Sequence, residues 1–136
     1  YKQDLKQRII MIYNEDDRAQ RLIDVFDFLP GQVNVSYVNN TSHIVAWHKH
    51  NLQTDYWVCI KGSFKVGLAT EDGCKFEYLS DKNPRVLEIT PGIYHGYKAL
   101  EPGSILMYYV TRKYDINDEI RVPVGHFGEQ WETENK

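Results

Sequence analysis

The sequence is poor in cysteine, with only Cys59 and Cys74 in 136 residues. Two cysteines, each inside a strand-like run, make no disulfide framework, so we expect free thiols in a reducing cytoplasm. The first residues, Tyr1 to Arg8, also lack the basic-then-apolar layout of a secretory signal. These absences exclude a small disulfide-stabilised scaffold and predict a cytoplasmic location.

Long apolar runs and basic clusters are missing as well. No stretch approaches the ~20 apolar residues that a membrane-spanning helix requires. The 16 Lys and Arg residues are outnumbered by 19 Asp and Glu residues and form no cluster, which argues against binding through nucleic-acid phosphates. No low-complexity linker, internal repeat or charge block marks a second domain. We therefore predict one domain, residues 1–136, that binds neither membrane nor nucleic acid.

Turn signals divide the chain into short runs of β character. Pro30-Gly31, Asp72-Gly73, Pro91-Gly92 and Pro102-Gly103 are typical of turns. The strands predicted between them are 33–38, 44–50, 56–60, 64–69, 75–79, 86–89 and 105–111. Only residues 15–22 and the stretch after Asp118 have helical character, and 129–136 is interpreted as a frayed tail. Many short strands at regular spacing predict a sandwich or barrel.

The sequence is rich in aromatic residues, with ten Tyr and three Trp, which either fill a core or line a cavity. A pocket role is predicted for the rings that flank histidines, namely Trp47, Tyr94 and Tyr97. Ordinary sheet packing is predicted for Tyr56, Trp57, Phe64 and Phe76.

Histidines form the densest chemical pattern. His48 and His50 lie two apart in a predicted strand, so their side chains share one face. His95 follows the Pro91-Gly92 turn and is expected at the start of a strand. Tyr108 lies in another strand and shares a face with its apolar neighbours. An imidazole titrates near neutral pH, which suits it to acid–base chemistry.

These residues carry a resemblance to a known superfamily. His48, His50, Asp55 and Gly62, followed by Gly92 and His95, resemble the two motifs of the cupin superfamily, a double-stranded jelly roll. The stretches 32–36, 44–48, 61–62, 90–97 and 107–111 look more narrowly like the dTDP-4-dehydrorhamnose 3,5-epimerase group. The resemblance to this group covers about residues 25–123. The implied fold is all-β, a cupin jelly roll with little helix and its pocket between two sheets.

The resemblance implies a role for individual residues. His48 matches the base that removes a proton next to a sugar 4-keto group, and Tyr108 matches the residue that returns one from the opposite face. The substrate-binding residues predicted with them are His50, His95, Gln32, Asn34 and Trp47. The family implies a sugar-nucleotide ligand, no cofactor and a homodimer. Inversion at carbon requires acid and base on two faces, which a histidine and a phenol supply.

Three other interpretations stay open. In related dTDP-sugar 3,4-ketoisomerases, His48 and His50 would move a proton between adjacent carbons and Tyr108 would be core. As a metal-dependent cupin, the chain would bind a divalent metal through His48, His50, Asp55 and His95. As a non-catalytic cupin, it would only bind a sugar.

The sequence also departs from the family at charged positions. Val45 stands where the family has an arginine, and the family's lysine falls near Asp55. No carboxylate stands directly after 121–123, where the family has the aspartate that orients the histidine, and Asp55 is a candidate for that role. We therefore hypothesise a ligand less anionic than the family's usual substrate.

Overall fold

Residues 12–26 and 28–132 are described by a computed structural model. Within them, eleven strands and one short 3₁₀ helix follow in chain order. The strands are β1 Ile12–Glu15, β2 Gln20–Ile23, β3 Gln32–Val38, β4 Val45–His50, β5 Asp55–Lys61, β6 Ser63–Thr70, β7 Gly73–Ser80, β8 Val86–Ile89, β9 Tyr94–Ala99, β10 Ser104–Val110 and β11 Glu119–Arg121. The 3₁₀ helix is Ile116–Asp118. No helix of the described residues has the length and apolar character needed to cross a membrane.

The strands pair into two antiparallel sheets. One sheet has the order β1-β2-β3-β10-β5-β8, and the other has the order β11-β4-β9-β6-β7. We call them the six-stranded and the five-stranded sheet. From β3 onward the strands alternate between the sheets, except for the β6–β7 hairpin, so the chain winds as a jelly roll, which confirms the predicted all-β fold class.

The apolar core lies between the sheets, toward one end of the long strands. Phe64 and Val66 of β6 point inward and are fully buried, as their alternation with polar neighbours predicts. Leu79 of β7 and Leu106 of β10 complete this layer. Burying each such side chain contributes about 1.5–3 kcal/mol to folding. Strands β3, β4, β5 and β9 carry polar inward side chains, and the space between the sheets opens among them into a cavity.

A second apolar cluster lies behind the five-stranded sheet, on its outer face. The ring of Trp131 lies 5.3 Å from that of Trp47 and 5.1 Å from that of Phe76. A side chain at Gly67 would lie only 2.5 Å from Trp47, so a glycine is required under this cluster. The buried Lys65 ammonium donates to the Trp131 carbonyl at 3.1 Å. The prediction of a frayed tail is therefore wrong for 129–132, and the core extends past the expected boundary at 123.

Both predicted helices are wrong. Residues 15–22 form the turn and second strand of the β1–β2 hairpin. The Asp16 carboxylate accepts the backbone N–H groups of Arg18 at 2.8 Å and Ala19 at 3.2 Å, so the acidic run that suggested a helix start stabilises a turn instead. After Asp118 the chain continues as β11, which pairs with β4.

Candidate functional site

A cavity of about 630 Å³ lies between the sheets at their polar end. The five-stranded sheet presents His48, His50 and His95 to it, and the six-stranded sheet presents Asp55 and Tyr108. The sequence therefore predicted correctly that His48 and His50 share a face. The strand start expected at His95 is also confirmed, because β9 begins one residue earlier.

His48 lies opposite His95 in the register of β4 and β9, and their ring centroids are 6.5 Å apart. Burial, reinforced by the neighbouring His95 imidazole, lowers the pKa of His48 to about 4. His48 is therefore neutral at physiological pH and can accept a proton. A neutral imidazole at the wall of a cavity is suited to general-base chemistry.

His95 is held between a carbonyl and a carboxylate. Its Nδ1 lies 3.1 Å from the Ile93 carbonyl oxygen, which can only accept, so Nδ1 carries a proton and Nε2 faces the site. That Nε2 lies 3.6 Å from Asp55 Oδ2. Asp55 is fixed in turn by hydrogen bonds from Gln53 Nε2 at 2.7 Å and Trp57 Nε1 at 3.1 Å. Asp55 is thus placed beside an imidazole, as the sequence suggested, and that imidazole is His95.

His50 depends on Asp118, a residue that sequence reasoning missed. His50 Nδ1 lies 3.2 Å from the Asp118 carbonyl oxygen, and the His50 ring stacks on His95 with centroids 5.3 Å apart. The buried Asp118 carboxylate accepts the backbone N–H groups of Asn51, Leu52 and Gln53. Asp118 therefore fixes both the His50 tautomer and the turn that leads into β5.

Three side chains of the cavity are placed to hold a metal ion. His50, Asp55 and His95 each have a ligand atom within 4.8 Å of the others, whereas His48 is not a member of this group. Both histidines turn Nδ1 toward a backbone carbonyl, the outer-shell arrangement common among metal-binding histidines. These three residues fit a divalent ion; the four-residue set predicted from the sequence is corrected by the exclusion of His48.

Tyr108 faces the histidines from the opposite wall, on β10 of the six-stranded sheet. Its hydroxyl lies 3.4 Å from Ser36 Oγ. Burial, together with the Tyr97 phenol, raises the pKa of Tyr108 to about 12, so it stays protonated as a possible donor. The positive charge of Arg21 opposes the rise in the pKa of both Tyr97 and Tyr108.

Gln32 and Asn34 lie on β3 and line the cavity, as predicted. Both are buried, and Gln32 Nε2 donates to Asn34 Oδ1 at 3.0 Å. Gln32 Oε1 also accepts the backbone N–H of Tyr114 at 3.0 Å, so the two amides have fixed orientations. They give this side of the cavity an uncharged polar wall.

Three arginines line the cavity, and they are balanced in formal charge by three carboxylates, those of Asp16, Asp55 and Glu119. Arg18 and Arg21 come from the β1–β2 hairpin and share one carboxylate, with Asp16 Oδ2 at 2.8 and 3.0 Å. Arg121 comes from β11 and pairs with Glu119 at 3.0 Å. Arg18, Arg21 and Asp16 together carry a formal charge of +1, although Glu15 and Asp17 make residues 12–23 as a whole net negative. No local motif marks these residues, because pairing of distant strands brings them to the cavity.

The assignment of Trp47 to substrate binding is wrong. Trp47 is completely buried behind the five-stranded sheet, because side chains alternate along a strand and His48 points into the cavity. Tyr94 belongs to the same outer cluster, packing against Phe127. Tyr97 does line the cavity, as predicted, and so does Trp57, for which ordinary packing was expected.

Two antiparallel sheets around a histidine-lined cavity define a cupin jelly roll. The family described as "FdtA: WxcM-like, C-terminal" matches residues 8–128, and the chain belongs to this family. It is similar to the spore coat polysaccharide biosynthesis protein SpsL of Bacillus subtilis (strain 168). They are 33% identical over 103 residues, covering 67% of this chain and 68% of SpsL.

Solved structures share the fold. QdtA, a 3,4-ketoisomerase from Thermoanaerobacterium thermosaccharolyticum solved as a double mutant with TDP, is 26% identical with a TM-score of 0.61, over 66% of this chain and 64% of that one. The dTDP-4-dehydrorhamnose 3,5-epimerase of Bacillus anthracis str. Ames, 20% identical, has a TM-score of 0.69 over 93% of both chains. CapF of Staphylococcus aureus, 19% identical, has a TM-score of 0.76 over 86% of this chain, which spans only 35% of CapF.

Proposed function

We propose that the protein is a nucleotide-sugar isomerase that exchanges the keto and hydroxyl groups at C3 and C4 of a 4-keto-6-deoxysugar. The observation that carries this proposal is the presence of His48 and His50 side by side on one wall of the cavity. The proposal is supported by family membership and by the likeness to QdtA, a 3,4-ketoisomerase. The likeness to SpsL, a spore coat polysaccharide biosynthesis protein, also supports a sugar substrate.

The reaction needs two proton transfers on one face of the sugar ring. A base removes the C3 proton, and the electron pair of that C–H bond forms a C3=C4 double bond while O4 gains a proton. The enediol then loses the proton of the C3 hydroxyl, C4 gains a proton, and the ketone stands at C3. Atoms and charge balance without an oxidant, so two adjacent imidazoles are sufficient.

The residues divide these steps between them. His48, neutral and half-buried, is the base at C3. His50, whose Nδ1–H is held by the Asp118 carbonyl, accepts the proton of the C3 hydroxyl on Nε2 and returns it at C4 from the same wall. His95, held by Ile93 and Asp55, stands beside both rings and is placed to hydrogen-bond the sugar oxygen atoms at C3 and C4. The proposed mechanism uses no cofactor.

The charges of the cavity orient the ligand. The guanidinium groups of Arg18 and Arg21, which share the Asp16 carboxylate, are suited to a diphosphate at the hairpin side of the cavity. The uncharged amides of Gln32 and Asn34 provide hydrogen-bonding groups for the nucleotide portion. The sugar then lies among the histidines. Because both cysteines are free thiols, we further propose that the reaction occurs in the cytoplasm.

The test is incubation with TDP-4-keto-6-deoxyglucose in D₂O, followed by NMR. We expect a 3-keto product with deuterium at C4. His48→Asn and His50→Asn should each lower the rate at least about 100-fold, because general acid–base catalysis contributes about 10²–10⁴-fold. His126→Asn, at an exposed histidine outside the cavity, is the matched control and should keep the full rate. A product that keeps its ketone at C4 would overturn the proposal.

A 3,5-epimerase is the second candidate, favoured by Tyr108. This phenol faces the histidines from the opposite wall, where an acid must lie to invert a carbon atom. The same incubation separates the two reactions, since an epimerase would place deuterium at C3 and C5 while the ketone stays at C4. Binding of the sugar nucleotide with no deuterium exchange would indicate a non-catalytic cupin instead.

A metal-dependent enzyme is the third candidate, and the group formed by His50, Asp55 and His95 favours it. A bound divalent ion there would supply Lewis-acid stabilisation of the enolate oxygen. The three side chains would hold the ion, while His48, outside the group, would keep its role as base.

A further inference from the structure

Trp57 makes a polar contact that the proposed reaction does not use. Trp57 and Asp55 lie two residues apart on β5, so both side chains point into the cavity. The Trp57 indole Nε1–H donates to Asp55 Oδ2 at 3.1 Å. Both residues are buried, so neither group can exchange its partner for bulk solvent. Ordinary sheet packing would require no such hydrogen bond.

The Asp55 carboxylate depends on two neutral donors. Gln53 Nε2 donates to Oδ1 at 2.7 Å, and Trp57 Nε1 donates to Oδ2. Among the described residues, no lysine or arginine forms an ion pair with Asp55, and its one such contact is with the His95 ring. Leaving an oxygen of a buried carboxylate without a donor is costly. If the indole N–H were removed, Oδ2 would therefore require a new donor.

His95 is placed to replace the indole as that donor. Its Nε2 lies 3.6 Å from Asp55 Oδ2, which is longer than the ~2.7–3.2 Å of an N–H···O hydrogen bond. The ring proton lies on Nδ1, which points to the Ile93 carbonyl oxygen at 3.1 Å. Nε2 of the neutral ring then has a lone pair and cannot donate. The ring could donate to Asp55 only if its proton moved to Nε2, and it would then lose its hydrogen bond to Ile93.

Packing fixes the indole at this place between the sheets. In the register of the six-stranded sheet, Trp57 lies between Leu87 of β8 and Tyr108 of β10. From the five-stranded sheet, His95 and Tyr97 contact its ring edge to face, with centroids 5.4 and 5.7 Å away. With neighbours on both sheets, the ring has little freedom to turn its N–H away from the carboxylate. The donor is thus held where the carboxylate needs it.

We propose that Trp57 is a positioning residue whose N–H holds Asp55 back from His95 and thereby leaves His95 Nε2 free to accept a hydrogen bond from a sugar hydroxyl group. It acts through Asp55 rather than on the sugar. Without the indole N–H, Asp55 Oδ2 moves to His95, Nδ1 releases its proton to solvent and Nε2 takes one up, so the charge is unchanged. For its effect on turnover the inference rests on the proposed function, whereas its effect on the ring proton depends on no substrate.

Nitrogen-15 NMR of the histidine rings locates this proton, because protonated and unprotonated ring nitrogens have well-separated chemical shifts. The full chain is first treated with EDTA, since a metal ion on Nε2 would itself fix the proton on Nδ1. We expect the His95 proton on Nδ1 in the wild type and mainly on Nε2 in Trp57→Phe. Trp47→Phe is the matched control, because Trp47 is also a buried indole but its N–H has no hydrogen-bond partner among the described residues. This control should leave the proton on Nδ1.

A double variant shows whether the effect passes through the carboxylate. Asp55→Asn removes the charge that attracts the ring proton, so adding Trp57→Phe to it should leave the proton on Nδ1. A mere loss of packing would move the proton in the double variant as well. Circular dichroism checks that each variant folds. Gln53→Leu, which removes the other donor of Asp55, replaces Trp57→Phe if that variant does not fold.

Turnover supplies the second measurement. With TDP-4-keto-6-deoxyglucose, Trp57→Phe should lower kcat at least about tenfold and change KM less than about twofold, because a misplaced group disturbs the reacting geometry. A His95 proton that stays on Nδ1 in folded Trp57→Phe, or that moves equally in the double variant, would overturn the proposal, and so would an unchanged kcat. A wild type that shows the expected ring protons but no turnover would support the positioning of Asp55 and overturn only the proposed function.

Discussion

His48 and His95 occupy paired positions on β4 and β9, with their rings at 87° and their centroids 6.5 Å apart. Burial lowers the pKa of both rings. His95 further lowers the pKa of His48, and His50 further lowers the pKa of His95, although Asp55 opposes that shift. The two rings are therefore held neutral together. The site can accept a proton during turnover without carrying one at rest.

This arrangement predicts an acid-sensitive fold. The pKa of His48 is about 4 in the folded protein and near 6.5 in the unfolded chain, so only the unfolded chain binds the proton between these values. The free energy of unfolding should therefore fall as the pH drops from about 6.5 to about 4, by roughly 2–3 kcal/mol for this residue alone. Urea denaturation across this range measures the change. His48→Asn should flatten the slope, and an unchanged slope in that variant would contradict the assignment.

Tyr108→Phe distinguishes the two sugar reactions. If the protein is a ketoisomerase, the variant should lose less than about tenfold in rate, whereas a lost general acid would cost about 10²–10⁴-fold. Steady-state rates by NMR give the answer. Tyr78→Phe, at an exposed phenol on β7, controls for the loss of a hydroxyl group. A loss of 100-fold or more in the rate of Tyr108→Phe would contradict the ketoisomerase and favour the epimerase.

Asp118→Asn should loosen the turn beneath His50. The carboxylate accepts three consecutive backbone N–H groups, and an amide can replace only part of this acceptor capacity. We expect a loss of about 2 kcal/mol in the free energy of unfolding. Turnover should fall as well, because His50 loses its fixed position. Asp72→Asn, in an exposed turn, is the control for removing a carboxylate, and equal stability of the two variants would show that Asp118 is not an anchor.

Chelation tests the metal candidate. We expect the purified protein to keep its rate within about twofold after treatment with EDTA, since the proposed proton transfers require no Lewis acid. Elemental analysis before and after treatment measures the metal content. A stoichiometric metal whose removal abolishes turnover, and which Asp55→Asn fails to bind, would establish the metal-dependent enzyme instead.

The alternation of side chains along strands made much of the site predictable. It placed His48 and His50 on one face, and the Pro91-Gly92 turn placed His95 at a strand start. The same rule, applied one residue earlier, excludes Trp47 from that face. The prediction for Trp47 was wrong because it relied on nearness in sequence rather than on the period of two.

Contacts between distant strands could not be predicted. Arg21 reaches the cavity because β2 pairs with β3. Asp118 reaches the turn after His50 although it lies 66 positions from Leu52 in the chain. Neither residue lies in a local motif. The helix predicted over 15–22 failed for a related reason, because pairing with β3 and the Asp16 turn outweigh weak helical preferences.

The packing of Trp131 against Trp47 affects when the fold can be completed during protein synthesis. The indole packs behind the strand that carries His48, and Lys65 is satisfied by carbonyl groups of residues 130 and 131. A nascent chain emerges from the ribosome in sequence order, so the histidines are made long before the residues that support them from behind. The cavity wall that carries His48 therefore gains its rigid backing only after residue 131 has been synthesised.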